Sequence, residues 1–220
     1  LDDLKSTLKV LTFDLYGTIV DMQSGLTAVA TGFLKEKGWK GQPNSFVTWW
    51  RRTHFENSMI DALLDKGHTP YREIGRRAVS LTMERAGIPF TTAEAQWLVA
   101  QIESLKPFPD AAEALGRLNK RYKLAILSNG DPDMLENAKP HIGYAFDDYI
   151  SIATSGYFKP HAASYLKAAD ILKTPAANIM HVANHAFDCI GAKSYGMRSV
   201  FIDRRQRPAH DDRCGNHRTR

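Results

Sequence analysis

The chain has 220 residues, 43% of them hydrophobic, enough for a full core and too many for a wholly disordered protein. Its net charge of +5 is unevenly spread: residues 204–220 carry six Arg against two Asp, while the remainder carries 23 basic against 22 acidic residues. So neutral a body argues against a nucleic-acid-binding domain, and no apolar run approaches the roughly 18 residues of a membrane helix.

The opening stretch LDDLKSTLKV lacks the apolar segment of a secretory signal. The two cysteines, Cys189 and Cys214, form no spacing pattern, so a reducing, cytoplasmic setting is expected. Residues 8–14, LKVLTFD, read as a buried strand that delivers Asp14 to its carboxyl end, with Gly17 and Thr18 in the loop beyond. No convincing strand follows until residue 105. Residues 28–38, 44–67, 71–87 and 93–105 carry helical patterns separated by Gly or Pro, which makes 22–105 a helical insertion. Strands are then expected at 123–128, 148–153, 178–183 and 198–203, with helices at 110–121, 131–139, 161–173 and 186–195. Apolar runs alternating with helices imply a parallel sheet covered on both faces. Ligands of such sheets sit at the carboxyl ends of the strands. Asp14, Ser128, Lys159 and the NHAFD stretch (184–188) all fall there. The tail from 204 has almost no apolar residues and is expected to be loose and solvated.

The segments FDLYGTIVD, WWRR, LSNG, FKPHAASY and VANHAFD occur in an order that resembles the haloacid dehalogenase superfamily, most of all its L-2-haloacid dehalogenase branch. The resemblance implies an α/β Rossmann-like core at 1–21 and 106–203, a helical cap at 22–105, and a basic tail at 204–220. Most members of that superfamily transfer phosphoryl groups, with a second Asp two residues after the nucleophile and clustered acids that hold Mg²⁺. Here the former position is Tyr16, and the last motif keeps one carboxylate, Asp188, beside Ala183, Asn184 and His185. Phosphoryl transfer needs its charge neutralised, usually by metal. A halide leaves as a stable anion and needs no proton, so an acid at position 16 would have nothing to do. The expected reaction is hydrolytic dehalogenation of haloacetates or L-2-halopropionate through an aspartyl ester on Asp14, with no metal and no cofactor.

Further roles follow from the resemblance. Lys159 would keep Asp14 ionised, and Thr18 would bond the nucleophile. Ser128 and Asn129, helped by the backbone N–H groups of Leu15 and Tyr16, would bind the substrate carboxylate or an oxyanion. Tyr165 would contact substrate or the lysine, and Asp188 would pair with Lys159. Arg51 would cradle the departing halide, with Arg52 its competitor. Asn184 and His185 stand where better-known members have a Ser-Ser-Asn stretch. A neutral His185 would take a proton from the attacking water, with Asp21 either orienting it or standing as a plain loop residue. One or two of Trp39, Trp49, Trp50 and Trp97 would wall the site. His141, His161 and His181 lack metal-ligand spacing and read as structural. A homodimer paired through the lid helices is implied too; neither nucleic acid nor membrane is an expected partner. Two other readings stay open: a Mg²⁺-dependent phosphatase of the same superfamily, and a non-catalytic module that binds through the basic tail.

Overall fold

The computed structural model describes residues 6–204. Five parallel strands form one sheet in the order β3-β2-β1-β4-β5: β1 Val10–Phe13, β2 Lys123–Ser128, β3 Asp148–Ser151, β4 Ile179–Ala183 and β5 Arg198–Phe201. β1 is buried along its whole length and β2 beyond Lys123. Apolar runs of this kind suit inner strands sheltered on both faces. The chain leaves β1 toward β2 and later crosses to β4 on the other side, so the ends of β1 and β4 flank the point where the strand order reverses.

The segment after β1 is helical: α1 Met22–Glu36, α2 Pro43–Leu64, α3 Tyr71–Arg85, α4 Thr92–Ala100, and a short 3₁₀ turn Gln101–Ser104. Among the described residues none of these helices is long and apolar enough to cross a membrane. Val47, Trp50, Ala78, Met83, Leu98 and Ile102 are buried among them, in a core continuous with that of the sheet. The outgoing and returning connections lie side by side: Asp21 N donates to Lys106 O (3.0 Å) and Phe108 N to Ile19 O (2.9 Å). The helical layer is also tied to the sheet loops. Asp131, after β2, accepts from the N–H groups of Tyr71 (2.8 Å) and Arg72 (2.9 Å), and so caps α3 from a distant part of the chain. The sheet is completed by α5 Ala111–Leu118, α6 Pro132–Ile142, α7 Ala162–Ile171 and α8 Ala186–Ser194.

Helix α1 begins six residues before the expected 28. Its N-cap is Asp21, whose carboxylate accepts from Ser24 N at 3.0 Å. Arg204, first residue of the tail read as loose, is held to other parts of the chain by its N to Asn184 Oδ1, Nε to Thr18 O and Nη1 to Asp110. The rest of the tail and Cys214 lie outside the described residues.

Candidate active site

Asp14 follows directly on the central strand, and its N–H still donates to Val182 O of β4 (3.0 Å). The turn after it folds tightly: Leu15 O accepts from the N–H groups of Thr18, Ile19 and Val20. This brings the Thr18 hydroxyl back onto Asp14 Oδ2 at 2.7 Å, while the same hydroxyl accepts from Asn184 N at 2.9 Å. Asp14 Oδ1 accepts from Lys159 Nζ at 3.0 Å, and His185 Nδ1 lies 3.3 Å from Oδ2. Burial alone pushes the Asp14 carboxyl up; the Lys159 charge, then His185 and Thr18, more than reverse this and hold it well below the usual carboxylate range. Among the described residues the N–H groups of Leu15 and Tyr16, in the turn beside Asp14, find no acceptor.

Lys159 is fully buried and makes two further bonds, to Leu127 O (2.9 Å) and Asp188 Oδ2 (2.6 Å). Burial alone would lower its ammonium, but Asp14 and Asp188 together raise it. Its backbone N donates to Asn129 Oδ1 (3.0 Å), which fixes the loop that carries it. Asp188 is completely buried at the start of α8, and its Oδ1 accepts from Tyr165 Oη (2.8 Å) and lies 3.0 Å from His181 Nε2. Burial raises the Asp188 carboxyl, and His181 and Lys159 outweigh it, leaving a net lowering.

Above Asp14 a cavity of about 620 Å³ opens between the sheet loops and helices α1 to α3. Its floor holds Asp14, Ser128, Asn129, Asn184 and His185; Arg51 projects into it from α2 and bonds Gln23 Oε1 at 2.9 Å. Gly17, at φ +96°, lets Arg51 and His185 approach: a Cβ there would lie 3.1 Å from His185 Cε1 and 3.3 Å from Arg51 Nη2. Arg52 touches the cavity rim, but its side chain is 65% exposed and pairs with Glu56. Tyr16 is buried and stacks on Tyr71 of α3, with ring planes 6° apart. Tyrosine at this position is thus part of the wall between the sheet and the lid.

Sequence reasoning is corrected at three points. Tyr165 hydrogen-bonds Asp188 and does not line the cavity, so it touches neither substrate space nor, directly, the lysine. Asp21 caps α1 and leaves Asp14 as the carboxylate beside His185. No tryptophan lines the cavity; its aromatic wall is Tyr16, Phe55, Tyr71, Phe108 and Phe187, while Trp50 lies in the interior of the lid and Trp49 and Trp97 are exposed. Phe55 and Phe187, which meet at 4.5 Å between ring centroids, went unnoticed because one belongs to the lid and the other to the α8 turn. Gln23, Tyr71 and Arg204 were missed for the same reason.

Both carboxylates at this strand end are already engaged by neighbouring side chains. The oxygens of Asp14 already face Lys159, Thr18 and His185, and those of Asp188 face Lys159, Tyr165 and His181. Among the described residues no group of three or more His, Cys, Asp or Glu side chains is arranged to hold a metal ion.

A parallel α/β sheet that presents a lysine-paired carboxylate beneath a helical lid defines a hydrolase of the haloacid dehalogenase type. The family model for haloacid dehalogenase-like hydrolases matches residues 8–196. An (S)-2-haloacid dehalogenase of Xanthobacter autotrophicus is 32% identical over 199 residues, 90% of this chain and 76% of that protein. Haloacetate dehalogenase H-2 of Moraxella sp. (strain B) is 26% identical over 90% of this chain and 86% of its own length. A solved L-2-haloacid dehalogenase from X. autotrophicus, with chloropropionic acid covalently bound, superposes with a TM-score of 0.80 at 29% identity, covering 89% of this chain and 77% of that one. The chain belongs to the haloacid dehalogenase-like hydrolases, in their L-2-haloacid dehalogenase branch.

Proposed function

We propose that this protein hydrolyses short 2-haloalkanoic acids to 2-hydroxy acids, without metal, through an ester on Asp14. The observation that carries this reading is the Asp14 carboxylate itself. It is buried and held ionised by Lys159, and it opens into a cavity that also presents Arg51 and His185. An Asp14 oxygen attacks the halogen-bearing carbon from the side opposite the halogen. The new C–O bond forms as the C–X bond breaks, and its electron pair leaves as halide, with inversion at carbon. Water then adds to the carbonyl carbon of the ester while His185 takes its proton. Collapse of the tetrahedral species breaks the bond between Asp14 Cγ and the alkyl oxygen and passes that proton to the departing hydroxy acid; the second proton of the water is lost to solvent, which restores the Asp14 carboxylate. Lys159 keeps Asp14 charged before the first step. The Leu15 and Tyr16 N–H groups, with Ser128 and Asn129, are suited to the substrate carboxylate or to the oxyanion of the second step. Residues 22–105 act as a lid that keeps water from the carboxylate before attack.

The test is halide release in EDTA from fluoroacetate, chloroacetate, bromoacetate and both enantiomers of 2-chloropropionate. Release from at least one haloacetate and from the (S) enantiomer is expected. Silence across the panel, with turnover of phosphate esters in Mg²⁺, would overturn the reading.

The two lid arginines separate in the same assay. Arg51→Ala is expected to lower kcat/KM by about a hundred-fold, since it removes a charged donor that projects into the cavity over Asp14. Arg52→Ala, which breaks an exposed i,i+4 pair, should stay within about two-fold of the unmodified protein.

A further inference from the structure

Behind Asp188 lies a buried polar chain that the reaction as written does not use. Thr12 of β1 and His181 of β4 are directly opposite each other in the sheet register. Both are completely buried, and Thr12 Oγ1 lies 2.9 Å from His181 Nδ1. The other ring nitrogen, Nε2, lies 3.0 Å from Asp188 Oδ1. Asp188 Oδ2 in turn accepts from Lys159, whose ammonium reaches Asp14. An unbroken line of side chains therefore runs Thr12–His181–Asp188–Lys159–Asp14 across the two central strands.

The hydrogen-bonding inventory sets the direction of this line. The Thr12 hydroxyl hydrogen has no other acceptor among the described residues, so it points at His181 Nδ1. Nδ1 is then the acceptor nitrogen, and the ring hydrogen sits on Nε2, the nitrogen that lies 3.0 Å from Asp188 Oδ1. A carboxylate buried at this depth needs its lone pairs satisfied. Tyr165 donates to Oδ1 and Lys159 to Oδ2, while His181 Nε2 stands 3.0 Å from Oδ1 as an ion-pair neighbour.

We propose that His181 is a positioning residue for the reaction. Held in its Nε2–H form by Thr12, it fixes the Asp188 carboxylate so that Lys159 is aimed at Asp14. It touches no substrate; it acts through Asp188 and Lys159. Titratable and charged groups facing this line are Asp14, Lys159, Tyr165, Asp188 and, across Asp14, His185. The proposal rests on the dehalogenase reading for its effect on turnover, and on the geometry alone for the tautomer.

Three variants and one spectrum test it. His181→Leu removes the nitrogen that faces Asp188 and strands the Thr12 hydroxyl. His181→Gln keeps an N–H at about the reach of Nε2, and Thr12→Val releases the tautomer without touching Asp188. The expected order of kcat is unmodified, then Gln, then Leu, with Leu lower by roughly 10- to 100-fold, the range for partners that orient a functional group. KM should change far less than kcat, and Thr12→Val should lose a few-fold in kcat. Nitrogen-15 spectra of the imidazoles, with His181 assigned by its loss in the Gln variant, should show the Nε2–H tautomer in the unmodified protein and a mixture in Thr12→Val. A ring found in the Nδ1–H form would overturn the proposal whether or not the protein turns over any haloacid. Folded Leu and Gln variants with equal kcat would overturn it as well, leaving His181 as filling between strands. If the unmodified protein releases no halide, the dehalogenase reading fails while the tautomer result still decides the placement of His181.

Discussion

Lys159→Met is expected to lower turnover on the order of a thousand-fold and to reverse the response of the protein to acid. In the unmodified protein the ammonium sits 3.0 Å from Asp14 and 2.6 Å from Asp188, with all three groups buried. Removing one partner of a buried ion pair leaves an uncompensated charge, at a cost of about 3–5 kcal/mol. Here two carboxylates lose the same cation. The influences left on Asp14 are burial, which raises a carboxyl, and the smaller opposing effects of His185 and Thr18. Asp14 is then expected to protonate at higher pH than in the unmodified protein, and a protonated carboxyl is a poor nucleophile. A loss of ~4 kcal/mol in transition-state stabilisation corresponds to about a thousand-fold in rate.

The pH dependence has a definite sign. In the unmodified protein both carboxyls are depressed on folding. Their contribution is present above the ordinary carboxyl value near 4 and is lost only as pH falls below it toward the folded values. In Lys159→Met the folded Asp14 carboxyl lies above its unfolded value. The native state then binds the extra proton, and the variant gains stability as pH falls from 8 to 5. Thermal unfolding of both proteins across that range measures it: the difference in Tm should narrow toward pH 5. A constant difference would mean that Asp14 keeps its charge without Lys159, and the place of the lysine in the reaction would have to be rebuilt. Activity gives a second reading, because the acid limb of kcat/KM should move toward neutrality in the variant.

The parts of this molecule that were legible in its sequence are those written as local patterns. The strand at 123–128 is found residue for residue, because an apolar run ends at Ser128 before the SNG turn. Asp14, Thr18, Lys159 and Asp188 were found because motif spacing carried them, and the sheet brings them together as expected. What stayed hidden depends on contacts between distant segments. Asp131 looks like a cap for its own helix α6, yet its carboxylate caps α3, sixty residues earlier. His181 looks like an ordinary buried histidine until the register of β1 against β4 sets Thr12 beside it. Two polar residues inside otherwise apolar strands were the available signal, but pairing them required the strand order. The start of α1 was missed for a different reason: the pattern was followed from its apolar stripe and not from the Asp21–Ser24 cap.

His185→Asn separates the two halves of the proposed reaction. In the structure His185 Nδ1 faces Asp14 Oδ2 at 3.3 Å, and its ring lies over Gly17, whose missing side chain makes the approach possible. With the proton on Nδ1, the nitrogen nearer the carboxylate, Nε2 carries the lone pair, which suits it to take a proton from water attacking the ester. Alkylation of Asp14 needs no proton transfer, so it should survive the substitution. Hydrolysis of the ester should slow by about 10²- to 10⁴-fold, the usual contribution of a positioned general base. The expected result is therefore a burst of halide equal to the enzyme present, followed by near silence, with the carboxyalkyl mass retained on the peptide that contains Asp14. In water enriched in oxygen-18, the unmodified protein should gain label in Asp14 over repeated turnovers, because water adds to the side-chain carbonyl. The variant should gain almost none. A variant that turns over at the parent rate, or one that releases no halide and carries no adduct, would remove His185 from the second step. In the first case Asn184, whose backbone N–H is fixed by Thr18 at the same strand end, becomes the residue to test next.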